Sequence, residues 1–249
     1  MNSSRASSKK ESGQKIRIGS RLRAAAEYVA AIGVGKKDIV CADIGCDHGY
    51  LSIYLIEKGF CDKVYACDIN EKPLNIARSN ISARDTRGLY LSEKITVVKS
   101  DGLSELTDAD INRVIICGMG GEVISGILER AKDFHRSGIR FILQPMSREM
   151  ELRGWLCENG FEICDETLVR DAGRVYAVIC AVFTGEKYEY SPAELILGRK
   201  NIEKNDELLP ELCERKLLHA RNLLRQGECT DLEKTLESEL SELYAKIRK

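Results

Sequence analysis

The stretch Asp43-Ile44-Gly45-Cys46-Asp47-His48-Gly49-Tyr50 follows a largely apolar run, Ile39–Ile44, and opens a helical one, Tyr50–Glu57. A strand, a glycine turn and a helix start in that order begin a nucleotide-binding βαβ unit, whose ligands sit beyond the carboxyl ends of the strands. Gly45 permits the sharp turn and lets backbone amides approach a ligand with no Cβ in the way. The stretch lacks the G-x-G-x-x-G spacing of a pyrophosphate loop and carries instead an acid, Asp43, two residues before Gly45. A carboxylate there suits a cationic ligand better than an anionic one, and the methionyl end of S-adenosyl-L-methionine is such a cation.

Downstream, Val64–Asp68, Ile95–Val98, Val114–Cys117 and Ile139–Leu143 are apolar on both faces, as parallel strands are when helices cover both sides of a sheet. Lys72–Arg84, Glu122–Lys132 and Arg148–Glu158 predict the crossover helices. Phe161–Val169 and Arg174–Phe183, separated by Arg170-Asp171-Ala172-Gly173, predict a terminal hairpin. Five βα units and a hairpin predict an α/β fold, the Rossmann-like sheet of a class I methyltransferase with helices on both faces, rather than the six-stranded dinucleotide fold. The strand ends repeat the chemistry of the first. Asp68, followed by Ile69, is placed to take both ribose hydroxyls, and Asp101 before Gly102 is placed to reach the adenine amine. The fourth strand ends Gly118-Met119-Gly120-Gly121, completing the expected cofactor set with Asp43 and Gly45.

The 249 residues suffice for one such domain and a smaller annex. Residues 1–17 read as a flexible basic tail, 18–185 as the Rossmann-like domain and 186–249 as a C-terminal helical, coiled-coil-like part. In the last, Ser191-Pro192-Ala193-Glu194 and Thr230-Asp231-Leu232-Glu233 are capping boxes, and Leu195, Leu208, Leu212, Leu223, Leu232, Leu236, Leu240, Leu243 and Ile247 recur at helical intervals. An N-terminal helix is expected from a Ser20 cap through Leu22, Ala25, Ala26, Val29 and Ala30, ended by Gly33 and Gly35.

The hydrophobic share of 43% and charged share of 31% are those of a globular protein. With no apolar run near the ~20 residues of a spanning helix and no secretion signal, the reading is cytoplasmic, with no membrane partner. Ten cysteines without a C-x-x-C pair, and three histidines, His48, His135 and His219, far apart, predict no metal site; Cys41, Cys67, Cys117 and Cys180 read as strand hydrophobes. A net charge of −1 excludes a strongly basic nucleic-acid binder, yet Lys9, Lys10, Lys15, Arg17, Arg21 and Arg23 crowd the N-terminal segment against the single acid Glu11.

Beyond its general methyltransferase signals, the chain resembles the bacterial tRNA (adenine-N1)-methyltransferases of the TrmK family from about Ile18 onward. The matching stretches are Ser20-Arg21-Leu22, Asp43 to Leu51, Asp68-Ile69-Asn70 with Pro73-Leu74, Ser100 to Leu103, Gly118 to Gly121, Leu143-Gln144-Pro145-Met146 and Leu152-Arg153-Gly154-Trp155-Leu156. It departs at Gly49, where alanine is usual, Ser52 for proline, Lys72 for glycine, and Gly19 in the N-terminal pattern. The resemblance implies tRNA as substrate and the adenine at position 22 as target. The fourth-strand slot lacks the Asn/Asp-Pro-Pro-Tyr/Phe of enzymes acting on exocyclic amines, which agrees with a ring-nitrogen acceptor.

Near that acceptor the first choice is Asp47, to accept from the adenine amine, or else to cap the adjoining helix; Tyr50 would stack on the base and His48 assist. The Gln144-Pro145-Met146 loop is expected to line the acceptor side. Arg17, Arg21 and Arg23, and on the C-terminal helices Arg199 and Lys200, are expected to hold phosphates, the last two serving equally as a solvated face. The chain is expected to be a monomer or weak dimer. Two rivals stand beside this reading: a small-molecule methyltransferase whose C-terminal helices dimerise, and a cofactor-binding protein without turnover.

Overall fold

The protein, in a computed structural model, is described over residues 16–31, 38–85, 90–106, 109–225 and 230–247. Strands β1 (Val40–Ile44), β2 (Lys63–Asp68), β3 (Ile95–Lys99), β4 (Arg113–Met119) and β5 (Arg140–Pro145) run parallel, followed by a hairpin of β6 (Phe161–Asp171) and β7 (Arg174–Phe183). The sheet order is β3-β2-β1-β4-β5-β7-β6, with β7 antiparallel between β5 and β6. Composition explains which hairpin strand lies inside: β7 is apolar almost throughout and buried on both faces, whereas β6 carries Glu162, Asp165, Glu166 and Arg170, which suit a sheet edge. The hairpin turn is tighter than the four-residue connection expected. Ala172 and Gly173 alone make it, both at positive φ (46° and 76°), as a two-residue turn between twisted strands requires.

Helices cover both faces. On one, α1 (Ser20–Ala30), α2 (Tyr50–Glu57), α3 (Glu71–Asp85) and the short α4 (Leu91–Lys94) pack Ala25, Val29, Leu55, Leu74 and Leu91 onto Ile115, Ile142 and Val178. On the other, α5 (Gly121–Arg130) and α6 (Glu149–Glu158) pack Ile124, Leu128, Leu152 and Leu156 onto Ile116, Phe141 and Ile179. Successive strand residues thus serve opposite cores, the two-faced burial read from their uninterrupted apolar runs.

One N-terminal expectation changes. Ser20 does not cap α1; the cap position is Gly19, and the Ser20 amide donates instead to Asp171 Oδ1 (3.4 Å), so an acid from the hairpin serves the helix start. The helix stops at Ala30; Gly33 and Gly35 lie outside the described residues. The basic positions Lys9, Lys10 and Lys15, and Glu11 with them, also lie outside those residues.

The C-terminal part comprises α7 (Pro192–Leu197), α8 (Arg199–Glu203), α9 (Leu209–Arg225) and α10 (Asp231–Ile247). Both capping boxes form: Glu194 N donates to Ser191 Oγ (3.4 Å) and Ser191 N to Glu194 Oε2 (2.8 Å), and Thr230 and Glu233 bond in the same reciprocal way. These helices are continuous with the sheet's core, since Leu197, Leu209, Leu212, Cys213, Leu217 and Leu240 join the cluster containing Phe141 and Phe161. The junction is pinned by a buried ion pair, Arg153 Nε to Glu166 Oε1 at 2.6 Å, with Arg153 Nη1 also donating to Leu195 O (2.8 Å) at the end of α7. α10 is the looser element: Leu240 is its one buried residue, and burying a leucine contributes about 1.5–3 kcal/mol.

No described helix is long and apolar enough to cross a membrane. Among the described residues nine cysteines are unpaired and no His/Cys/Asp/Glu group is arranged to hold a metal.

Candidate active site

Parallel register aligns the carboxyl ends of the strands: Ile44 lies beside Cys67 of β2 and Ile116 of β4, and Asp68 beside Lys99 of β3. A cleft of about 340 Å³ opens at that edge. Asp43, Gly45, Cys46, Leu51, Cys117 and Gly118 line it; Asp47, His48 and Tyr50 form its rim, and Arg21 and Leu22 of α1 its front wall.

The turn between β1 and α2 is held by one acceptor, Cys67 O, which takes bonds from both Gly45 N and Cys46 N at 2.8 Å. Asp47 sits at φ 50°, a conformation that Asp tolerates better than most residues. Gly49, at φ 73°, is the cap residue of α2, so Asp47 does not cap the helix and its carboxylate remains largely exposed on the rim. A Cβ at Gly49 would come 3.1 Å from Ala77 Cβ, so both backbone and space favour glycine where alanine is usual. His48 Nε2 lies 3.5 Å from Asp47 Oδ1, the His48 ring meets Tyr50 edge-on at 5.9 Å, and Asn80 of α3 fixes the loop by donating to His48 O (2.9 Å). The three acceptor-side residues read from the sequence therefore form one group.

Asp43 is 3% exposed and accepts a 2.6 Å bond from Ser52 Oγ. Burial pushes its carboxyl up to about 6, with the Ser52 bonds pulling the other way. Ser52, which replaces a proline, thus supplies a donor that proline lacks. Burial also pushes the Cys46 and Cys117 thiols well up, so both stay protonated beside the cleft.

The opposite wall is built on a β-bulge. Between Cys117 and Met119 the β4–β5 register shifts, leaving Gly118 as the extra residue at φ 80°. Its N–H donates to Gln144 Oε1 (3.2 Å), which also accepts from Arg21 Nη1 (3.0 Å), while Gln144 Nε2 donates to Pro145 O (2.6 Å). Gln144 and Pro145 belong to strand β5 and are buried, so the expected acceptor-side loop is reduced to Met146, which is 38% exposed; Gln144 acts only through Arg21 and Gly118. Arg21 is likewise committed: Nε donates to Asp171 Oδ2 (2.7 Å), Nη1 lies 2.7 Å from Met146 Sδ, and the guanidinium covers the Tyr176 ring at 5.0 Å. The guanidinium beside Asp171 holds that carboxyl below its ordinary value. Arg17 and Arg23 are exposed. Arg199 and Lys200 are engaged by Glu194 and Glu203.

The adenosine-side residues stand apart from this cleft. Asp68 Oδ1 accepts from Asn70 N (2.8 Å), Ile69 is 57% exposed, and Asp101 pairs with Arg130 at 3.2 Å. Met119 packs against the turn, its methyl 2.2 Å from where a Cβ on Gly45 would be. Gly102 packs against Ile127, and Gly120 and Gly121 against Ser147 and Arg148, so these glycines shape close contacts behind the rim. Leu22, Leu51 and Ser52 were not among the expected site residues; the only sequence signal for Ser52 was its departure from proline.

A buried acid at the end of β1, a glycine turn and the strand order 3-2-1-4-5-7-6 together define a class I methyltransferase. A family model described as a methyltransferase domain matches residues 18–179. The chain belongs to that family, and within it is similar to tRNA methyltransferases of the TrmK type. The tRNA (adenine(22)-N(1))-methyltransferase of Bacillus subtilis is 29% identical over 184 residues, 74% of this chain and 73% of the relative. The crystal structure of the B. subtilis M1A22 tRNA methyltransferase TrmK superposes with a TM-score of 0.74 at 25% identity, covering 94% of this chain and 100% of the other. TrmK of M. capricolum in complex with S-adenosyl-homocysteine gives 0.68 at 26% identity, covering 92% and 95%.

Proposed function

We propose that this protein methylates N1 of the adenine at position 22 of bacterial tRNA, using S-adenosyl-L-methionine. The observation that carries the reading is Asp43, a buried carboxylate facing the cleft whose rim is Asp47, His48 and Tyr50. The residues present fit the cofactor: burial leaves Asp43 short of counter-charge, a need that a cationic ligand meets. When bound, S-adenosyl-L-methionine supplies a methyl group on a sulfonium, which departs as a neutral thioether. Asp43, Gly45 and Gly118 would hold its methionyl end, and Asp68, Ile69 and Asp101 its adenosine, with Met119 between; Gly102, Gly120 and Gly121 shape the loops behind them.

N1 of adenine presents an in-plane lone pair and needs no proton removed before attack, so the protein's work is alignment and charge. N1 is engaged in a paired helix, so the base must be unpaired or extruded to enter. Tyr50 stacks on it, and Asp47 accepts from its amine and offsets the positive charge that develops on the methylated ring. His48 steadies Asp47. Cys46 and Cys117, kept protonated, do not compete for the methyl group. Arg17 and Arg23 are left to meet tRNA phosphates, whereas Arg21 braces the cleft and Met146 borders the acceptor side. Work on tRNA places the protein in the cytoplasm, and the scattered exposed hydrophobics, Tyr50, Ile69, Tyr90 and Val123 among them, suit a monomer or weak dimer. Incubating the protein with labelled S-adenosyl-L-methionine and unmodified bacterial tRNA tests the reading. Label in 1-methyladenosine at position 22 is expected; label elsewhere, or transfer to small molecules only, overturns it.

A further inference from the structure

A second cleft, of about 330 Å³, lies between β7 and α9. Its charged lining is Arg174 from the hairpin, Arg215, Lys216 and His219 from α9, and one acid, Glu149. Arg215 and Lys216 are respectively four and three residues before His219, so the three lie close together along α9. Lys216 is 3.9 Å from Glu149 and Arg215 Nη2 donates to Val175 O (3.4 Å); Arg174 and His219 have no ion-pair partner among the described residues. Three cations against one acid leave a formal +2 here in a chain whose net charge is −1. Other cations on the C-terminal helices, among them Arg199 with Glu194 and Arg221 with Glu237, are paired.

This cleft adjoins the first. Met146 and Tyr176 line it, and Arg21, which lines the cofactor cleft, contacts both, at 2.7 Å from Met146 Sδ and 5.0 Å over the Tyr176 ring. From the rim at Tyr50 and Asp47, Arg21 and Met146 thus lead into a cationic trough.

We propose that this trough binds the sugar-phosphate backbone of the RNA strand flanking the target adenine, with Arg174, Arg215 and Lys216 each meeting a phosphate. The assignment rests on the reading of tRNA as substrate. It moves part of the phosphate contact from the N-terminal basic segment to the groove between β7 and α9. Such contacts set position and leave base choice to the pocket.

The test is the triple variant Arg174→Gln, Arg215→Gln, Lys216→Gln beside a control, Lys94→Gln, an exposed lysine at the opposite sheet edge. Binding of unmodified full-length tRNA is measured against salt, with cofactor titration and methylation kinetics on the same proteins. Three lost contacts should flatten the slope of log affinity against log salt by about two, at roughly 0.7 per single-strand phosphate, and weaken binding about tenfold or more at 0.1 M salt. KM for tRNA should rise in step, while kcat at saturating tRNA, cofactor affinity and the control stay unchanged. A triple variant with the wild-type affinity and slope overturns the proposal, as does one that loses cofactor affinity, which would assign these residues to the fold. Failure of the underlying reading is distinct: the wild type itself would leave tRNA unmethylated.

Discussion

Replacing Asp43 with asparagine separates the cost of burying a carboxylate from its use. Burial moves this group from an ordinary 3.8 to about 6, so the folded chain holds the proton more tightly than the unfolded one. The resulting stability is fully present below about pH 3.8 and is lost as pH rises to about 6. Two units at about 1.4 kcal/mol each make the loss about 3 kcal/mol at neutral pH. Asparagine does not ionise, but its extra N–H lacks an acceptor, a pH-independent cost of about 1–2 kcal/mol. The variant should therefore be less stable than wild type at pH 4 and more stable, by about 1–2 kcal/mol, at pH 7. Urea denaturation of both proteins from pH 4 to 8 without cofactor measures the difference and cancels every other titrating group. The same variant should lose most of its affinity for S-adenosyl-L-methionine. A stability difference that ignores pH, or an asparagine variant that binds cofactor like wild type at pH 8, would refute the reasoning.

Ser52→Ala removes the hydrogen bond that opposes burial, worth about 1.5–3 kcal/mol to a charged acceptor, so the pH below which cofactor affinity falls should climb by one to two units in calorimetric titrations. Tyr50→Ala should raise KM for tRNA about tenfold, from roughly 1–3 kcal/mol of base stacking, whereas Tyr50→Phe and cofactor affinity stay near wild type in steady-state assays. Asp47→Asn should spare cofactor binding and lower kcat about tenfold or more; an unchanged single-turnover rate would remove Asp47 from the acceptor group. Glu166→Ala leaves Arg153 buried and uncompensated, and urea denaturation should show a loss of about 3–5 kcal/mol with cofactor affinity per folded molecule unchanged.

The sheet was legible because its strands announce themselves locally: a run such as Val114–Cys117, apolar at every position, fits only a strand covered on both faces. The acids at the ends of β1, β2 and β3 were legible for the same reason, being fixed by strand length. What escaped depends on partners distant in the chain. Ser20 reads as a helix cap until Asp171 takes over the service, and Gln144 reads as a loop residue until Arg21 and the Gly118 N–H satisfy its amide and let β5 continue. The left-handed backbone of Asp47 decides that its carboxylate faces the rim and does not cap α2, and no spacing rule encodes that. Nor does linear order reveal that the Met119 methyl packs against the Gly45 turn.

The partners of Arg21 lie 123 and 150 residues further along the chain. At a synthesis rate of about 5–20 residues per second, α1 leaves the ribosome roughly 8–30 s before Asp171 exists to receive it. The front wall of the cleft thus closes only once the hairpin is made, long after α1 itself. A nascent chain cut off before the hairpin holds the acid-bearing strand ends but no latch, so ligand grip awaits synthesis of the hairpin.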